Sequence, residues 1–257
     1  MLEFERDRQF FIFNFDLPLE NQSAFFDPQF WLKKGRITGS AHGRGVTYFL
    51  DTQDLFGMNS ALRHYYRGGL WAKINRDRYC FHTLAQTRSF AEFSLLNQLA
   101  KAGLTVPKAI GAKITKGRFG CYQADILTQK IENAQDLTAL LQNRELAEKD
   151  WWEIGRLIRR LHDLQVCHTD LNAHNILVQN RSNDWQYWLI DFDKCGYKSG
   201  SFWKKEKNQA RYLAKKEKIE NFQNRFKRDR YSIEFSINLN ATNHLTEEDF
   251  NTKISNK

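Results

Sequence analysis

His168-Thr169-Asp170-Leu171-Asn172-Ala173-His174-Asn175, followed by Asp191-Phe192-Asp193, is the stretch on which the fold turns. Its residue types suit phosphoryl transfer. A hydroxyl acceptor needs a carboxylate within hydrogen-bond reach to orient it and take its proton. A nucleotide's phosphates need a divalent cation, held by a second carboxylate and a neutral amide oxygen. Asp170 suits the first task, and Asn175 and Asp191 the second. Ile176, Leu177 and Val178 on one side, with Trp188, Leu189 and Ile190 on the other, read as strands that fix both ligands in a rigid hairpin. His168 reads as a residue that holds the loop backbone rather than as a proton carrier, and His174 as a polar loop residue.

Working outward, residues 150–166 (DWWEIGRLIRRLHDLQV) place Ile154, Leu157, Ile158, Leu161 and Leu164 at helical spacing. Residues 136–144 predict a shorter helix before it. The first half is different. Strand signals fall at residues 35–41, 45–51, 60–66, 108–114 and 121–131, the last two joined by the turn KGRFG. One helix interrupts them, SFAEFSLLNQLAKAG at 89–103, with Phe90, Phe93, Leu96 and Leu99 on one face, Ser89 as N-cap and Gly103 as stop. The expectation is therefore an α+β chain of two lobes with a ligand cleft between them. Residues 1–130 are expected to form a β-rich lobe, and residues 131–257 a helical lobe with a basic tail.

Gly35, Gly39, Gly43 and Gly45 lie in GRITGSAHGRGVTYF, between two strand signals. Glycines let backbone N–H groups approach anionic oxygens without side-chain obstruction. Ser40, Ala41 and His42 are expected at the loop tip, with Arg44 adding charge. The spacing is not GxGxxG, and a hairpin turn that needs positive φ explains the same glycines equally well.

HTDLNAHN with DFD resembles the catalytic loop and metal-binding motif of protein kinase-like folds. Together with LRHYYRGGL, RSFAEFSLL and WLIDFDK, it is similar to the lipopolysaccharide core kinases, among them those that act on 3-deoxy-D-manno-octulosonic acid (Kdo). The likeness runs from about Gly35 to about Leu213. Thr169 stands where protein kinases carry the loop arginine, and Asp193 where they carry a glycine. The resemblance implies an ATP- and Mg²⁺-dependent kinase of two lobes. Its acceptor would be a hydroxyl of Kdo, the 4-hydroxyl in that family, on a lipid A precursor.

It also implies site roles. Gly39, Gly43 and Gly45 would cover the nucleotide, Arg63 would clamp phosphates, and Glu92 on the next helix would pair with it. Arginine replaces the lysine expected there, and Lys73 in GLWAKI competes for the role. Glu92 has a second reading, because Ser89-x-x-Glu92 is also a capping box. Gln129, Lys130, Ile131 and Glu132 would form the linker beside the base. Lys194 either meets an anionic acceptor or is a surface lysine.

Composition sets the outer bounds. With 257 residues, 41% hydrophobic and 14% aromatic, the chain is too apolar to be disordered. Cys80, Cys121, Cys167 and Cys195 have no CxxC spacing, which argues against zinc and against a disulfide framework. MLEFERDRQFFIFNFD lacks the basic start and apolar run of a secretory signal.

Of the net charge of +9, residues 198–230 carry 12 Lys/Arg against 4 Asp/Glu, a net +8. Such a segment suits an anionic membrane surface, a phosphorylated substrate or nucleic acid, or else is a solvated helix face. With a Kdo-bearing lipid A precursor as partner, the membrane reading is favoured. It places the protein peripherally on the cytoplasmic face of the inner membrane, with no nucleic acid bound. The rival readings are a kinase of another small-molecule or sugar hydroxyl, and an inactive kinase fold that binds nucleic acid or acts as a scaffold. Residues 238–257 read as a frayed polar end.

Overall fold

In the computed structural model, residues 2–15, 22–43, 45–68, 76–182, 184–198, 200 and 202 are described. Two compact units divide them. The first comprises Met1–Ala102 and Val106–Glu132; the second takes Gly103–Thr105 and the chain from Asn133 onward.

In the first unit the elements run β1 (Leu2–Arg6), β2 (Gln9–Phe13), α1 (Pro28–Lys33), β3 (Ile37–His42), β4 (Val46–Leu50), α2 (Gln53–Phe56), β5 (Ser60–His64), β6 (Tyr79–Cys80), α3 (Arg88–Lys101), β7 (Ala109–Lys116) and β8 (Cys121–Gln129). The strands form one antiparallel sheet in the order β1-β2-β7-β8-β5-β4-β3, with β6 added to β8. All five strand signals of the sequence are in it.

The β1–β2 hairpin extends that sheet, and sequence reading did not foresee it. Its turn is Asp7-Arg8, at φ 51° and 64°. Hairpin turns with two positive φ values favour Asn-Gly or Asp-Gly, and no glycine marks this one. Phe11 and Phe13 send their rings into an aromatic cluster with Phe25, Phe26, Trp31 and Phe56, closed by Leu50, Leu62, Ile110 and Leu127. The Trp31 indole N–H donates to the Phe25 carbonyl at 2.9 Å, so its one polar atom is satisfied inside the cluster.

Side chains alternate along β5. Leu62 joins the aromatic cluster, and Arg63 turns to the face that α3 covers. The α3 helix lies on β7 and β8 and buries Phe90, Phe93, Leu96 and Leu99, the face read from its periodicity. Its start departs from expectation. Thr87 is the N-cap, and the Ser89 hydroxyl instead donates to the Lys113 carbonyl at 3.1 Å. Ser89 is fully buried and faces the sheet, so it is not available to cap. Gly103, at φ 76°, ends the helix as expected.

The second unit begins with β9 (Ala134–Asp136), α4 (Leu137–Asn143) and α5 (Glu148–Asp163). It continues with β10 (Val166–Cys167), β11 (Ile176–Arg181), β12 (Asp184–Leu189) and β13 (Gly196–Tyr197). Asp136 caps α4, its carboxylate accepting from Ala139 N at 2.9 Å. The α5 helix buries Ile154, Leu157, Ile158 and Leu161. Strands β12, β11 and β9 form one sheet, and β10 pairs with β13. The fold class is thus α+β, with one long helix against an antiparallel sheet in the first unit and two helices beside short antiparallel strand sets in the second. Lys73, Arg44 and nearly all of the basic segment lie outside the described residues, as do residues 238–257.

Candidate active site

In the first unit, a part-buried ion pair joins β5 to α3. Arg63 stands near the end of β5, and its Nη2 lies 2.7 Å from both Oε1 and Oε2 of Glu92 on α3. Glu92 is almost fully buried, so its charge needs this partner. The Tyr65 hydroxyl donates to the same carboxylate at 2.6 Å, and its ring lies 4.8 Å beneath the Arg63 guanidinium. Of the alternatives open for Glu92, the structure has the ion pair and not the capping box. Tyr65 escaped sequence reading. Its signal was there, because residues two apart on a strand share a face and Tyr65 follows Arg63 by two.

The glycines divide. Ser40 and Ala41 are not at a loop tip, because both are paired in the β3–β4 ladder opposite Tyr48 and Thr47. The turn lies one step further on, where Gly43 N–H donates to the Gly45 carbonyl at 2.9 Å. Gly39 sits at the register shift of that ladder, and Gly43 faces open space. Gly45 has a steric reason to be glycine: a Cβ there would overlap the ring of Tyr66. Gly35, at φ 66°, belongs to the turn between α1 and β3.

On the opposite face of β5, His64 is held between two carboxylates. Its Nδ1 is 2.7 Å from Asp125 and its Nε2 is 3.2 Å from Asp77. A carboxylate on each ring nitrogen requires two donors, which only the imidazolium provides. Burial lowers the His64 pKa, but the hydrogen bond and charge of Asp125, then of Asp77, outweigh it and leave the pKa raised. Lys113 closes the group, 3.0 Å from the other oxygen of Asp125. His64, Asp125 and Lys113 line a cavity of about 410 Å³ with Tyr48, Tyr66 and Phe26.

The residues from 129 to 132 are tied to the first unit. Gln129 N–H donates to Lys108, and Lys130 N–H to Asn59. Asn59 Nδ2 and Lys130 Nζ both reach the Glu132 carboxylate, at 2.9 and 2.8 Å.

In the second unit one residue joins the two halves of the motif. Ile190, just after β12, donates its N–H to the Asn175 carbonyl at 3.0 Å and offers its own carbonyl to His168 Nε2 at 2.9 Å. A carbonyl can only accept, so Nε2 carries the proton and Nδ1 is left to accept from Asp170 N–H at 3.3 Å. His168 is buried and its ring meets Phe192 edge-on. That is a structural histidine.

Asp170 lies exposed beyond it, and Asn175 is buried at the start of β11. Asn175 Nδ2 donates to the Asp170 carbonyl at 2.7 Å. The β11–β12 ladder pairs Ile176 with Leu189, so Asn175 and Asp191 leave adjacent strand ends. Asp191 adopts φ 61°, a strained left-handed conformation at the point where the chain turns away from the sheet. Thr169, in the place of the loop arginine, donates its hydroxyl to the Asp193 carbonyl at 3.1 Å and its N–H to Cys195 Sγ at 3.3 Å. It thereby pins the residues after Asp191 to the loop that carries Asp170. Lys194 is exposed, at φ 62°.

This donor set fits Mg²⁺. The amide nitrogen of Asn175 is spent on Asp170, so its oxygen is the end left to meet a cation. Among the described residues no three His, Cys, Asp or Glu side chains converge to hold a metal by themselves. A cation held by one or two side chains keeps its remaining positions for water and phosphate oxygens, the usual condition of Mg²⁺.

The profile described as the lipopolysaccharide kinase (Kdo/WaaP) family matches residues 28–234. A relative from Actinobacillus succinogenes, named 3-deoxy-D-manno-octulosonic acid kinase, is 62% identical over 82% of this chain and 88% of its own length. A relative of the same name from Haemophilus influenzae is 65% identical over 79% of this chain and 85% of its own. One from Photobacterium profundum, again so named, is 46% identical over 80% and 84%. Among solved structures, WaaP in complex with acyl carrier protein covers 71% of this chain and 72% of its own, at 12% identity and a TM-score of 0.46. The chain belongs to the lipopolysaccharide kinase (Kdo/WaaP) family and is a kinase.

Proposed function

We propose that the protein transfers the γ-phosphoryl group of ATP to a hydroxyl of Kdo, at the 4-position, on a lipid A precursor. The observation that carries this reading is the joint at Ile190. It ties the loop that carries Asp170 and Asn175 to the strand end that carries Asp191, which supports a site for phosphoryl transfer there.

Asp170 accepts the acceptor hydroxyl's hydrogen bond and then its proton. The oxygen forms a bond to the γ-phosphorus, the bond to the β–γ bridging oxygen breaks, and ADP leaves with that electron pair. Asn175 and Asp191 hold Mg²⁺, which when bound offsets charge on the phosphate oxygens. Arg63, oriented by Glu92 and Tyr65, binds phosphate oxygens beneath the β3–β4 hairpin. The relatives' name supplies the sugar.

The acceptor is an anionic lipid, and the protein binds the cytoplasmic face of the inner membrane peripherally through residues 198–230. The test is incubation of the purified protein with ATP, Mg²⁺ and a Kdo-bearing lipid A precursor, read by the acceptor's mass. A gain of one phosphate, absent with Asp170→Ala, is expected, with the phosphate on the 4-hydroxyl by NMR. ATP binding without transfer to Kdo would reject the acceptor and keep the kinase.

A further inference from the structure

We infer that Asn172 is a positioning residue for Asp170, an inference that rests on the reading of Asp170 as the group that receives the acceptor hydroxyl. The Asn172 side chain is used at both ends. Its Oδ1 accepts from His174 N–H at 2.9 Å and so caps the 3₁₀ turn Ala173–Asn175. Its Nδ2 donates to the Asp170 carboxylate at 3.0 Å and to the Asp170 carbonyl at 3.2 Å.

The first bond aims the second. An amide is planar, so anchoring its oxygen on the turn fixes where its N–H bonds point. Asp170 is exposed on a loop, where a carboxylate without a directed donor samples several rotamers. The Asn172 amide holds one carboxylate oxygen at a set place and fixes the plane of the group. The Asp170 carbonyl accepts from Asn172 and also from Asn175, so one backbone oxygen ties the carboxylate's register to the residue assigned to the cation. Displacing a reacting group by 1 Å costs up to about 10²-fold in rate.

The two jobs of Asn172 can be separated. Aspartate at this position caps a turn but cannot donate. Serine caps without adding charge, and once engaged as a cap is too short to reach the carboxylate. Alanine does neither. In the full-length protein, Asn172→Ser is expected to keep the wild-type thermal midpoint while kcat falls on the order of 10²-fold, with KM for ATP unchanged. Asn172→Asp, whose second oxygen faces the Asp170 carboxylate, is expected to lose the same activity with a lowered midpoint. Asn172→Ala is expected to lose the same activity and melt earlier. Wild-type kcat in both capping variants, with Asp170→Ala inactive, overturns the inference and leaves Asn172 as a cap alone. If Asp170→Ala itself keeps full activity, the reading of Asp170 fails first and this inference goes with it.

Discussion

Arg63 and Glu92 show how a side chain's role is decided by what reaches it first. From sequence alone Glu92 had two candidate partners, the favoured Arg63 guanidinium and the start of its own helix. Burial decides between them. A carboxylate this enclosed needs a full counter-charge, and a cap offers only N–H dipoles. Tyr65 adds the third contact, which makes it the more informative site to alter. Tyr65→Phe keeps the ring under Arg63 and removes only the hydroxyl. A hydrogen bond to a charged group is worth roughly 2 kcal/mol, so denaturant unfolding should show about that loss. The KM for ATP should rise, because Arg63 and Glu92 lose a common support. An unchanged KM would separate the clamp from nucleotide binding. His64, the next residue on the opposite face of β5, gives a pH prediction. Its folded pKa is raised above the ordinary value of 6.5, so its contribution is complete below that value and is lost as pH rises through the folded pKa. Thermal midpoints should therefore decline from slightly acid to alkaline pH by more in the wild type than in His64→Gln. Equal slopes would show that the two carboxylates do not hold an imidazolium.

At the scale of elements, what sequence could show depended on where the signal was stored. Strand alternation and helical spacing are local, and they located β3, β4, β5, β7, β8, α3, α5 and the β11–β12 hairpin. The β1–β2 hairpin was missed because its turn, Asp7-Arg8, holds two left-handed residues that only tertiary pairing justifies. The cap of α3 was misread because Ser89 has an ideal cap chemistry and a buried position, and burial is not written in the local pattern. The tip of the β3–β4 hairpin was misplaced because four glycines in eleven residues blur where a turn begins. Gly111 shows that a glycine inside a strand can report close packing instead. It faces Phe13 across the β2–β7 ladder, and a Cβ there would stand 2.5 Å from Phe13 Cδ1 and 3.3 Å from the Ile12 carbonyl. Phe13 is fully enclosed and cannot swing away. Gly111→Ala should therefore destabilise the protein by about 1–3 kcal/mol through overpacking. Gly43→Ala, whose Cβ would meet nothing within 4 Å, should be near neutral in the same denaturant titration. If Gly111→Ala were equally neutral, β2 would not lie against β7 as described.

For the molecule as a whole, chemistry was easier to read than attachment. The motif of residues 168–193 compresses the proposed transfer site into a short span, so its order is visible in the sequence. Attachment rests on a charge distribution. Nearly all the excess positive charge lies in residues 198–230, and no helix among the described residues is long and apolar enough to cross a membrane. A protein held to an anionic surface by lysines should leave it when salt screens them. The screening length falls from about 10 Å at 0.1 M salt to about 3 Å at 1 M. Each lysine near such a surface contributes roughly 1 kcal/mol. Replacing Lys204, Lys205 and Lys207 by glutamine should then cost about 3 kcal/mol, or roughly a hundredfold in partitioning onto vesicles rich in anionic lipid. Sedimentation with such vesicles at both salt concentrations, beside neutral vesicles, measures both effects. The triple variant is expected to keep its kcat on a water-soluble Kdo acceptor, because the proposed function assigns these lysines to the membrane surface and not to phosphoryl transfer. Its KM should rise only when the acceptor is presented in a bilayer. Binding that survives 1 M salt would assign attachment to apolar contacts, and a KM that rose equally for the soluble acceptor would assign these lysines to the sugar instead of the surface.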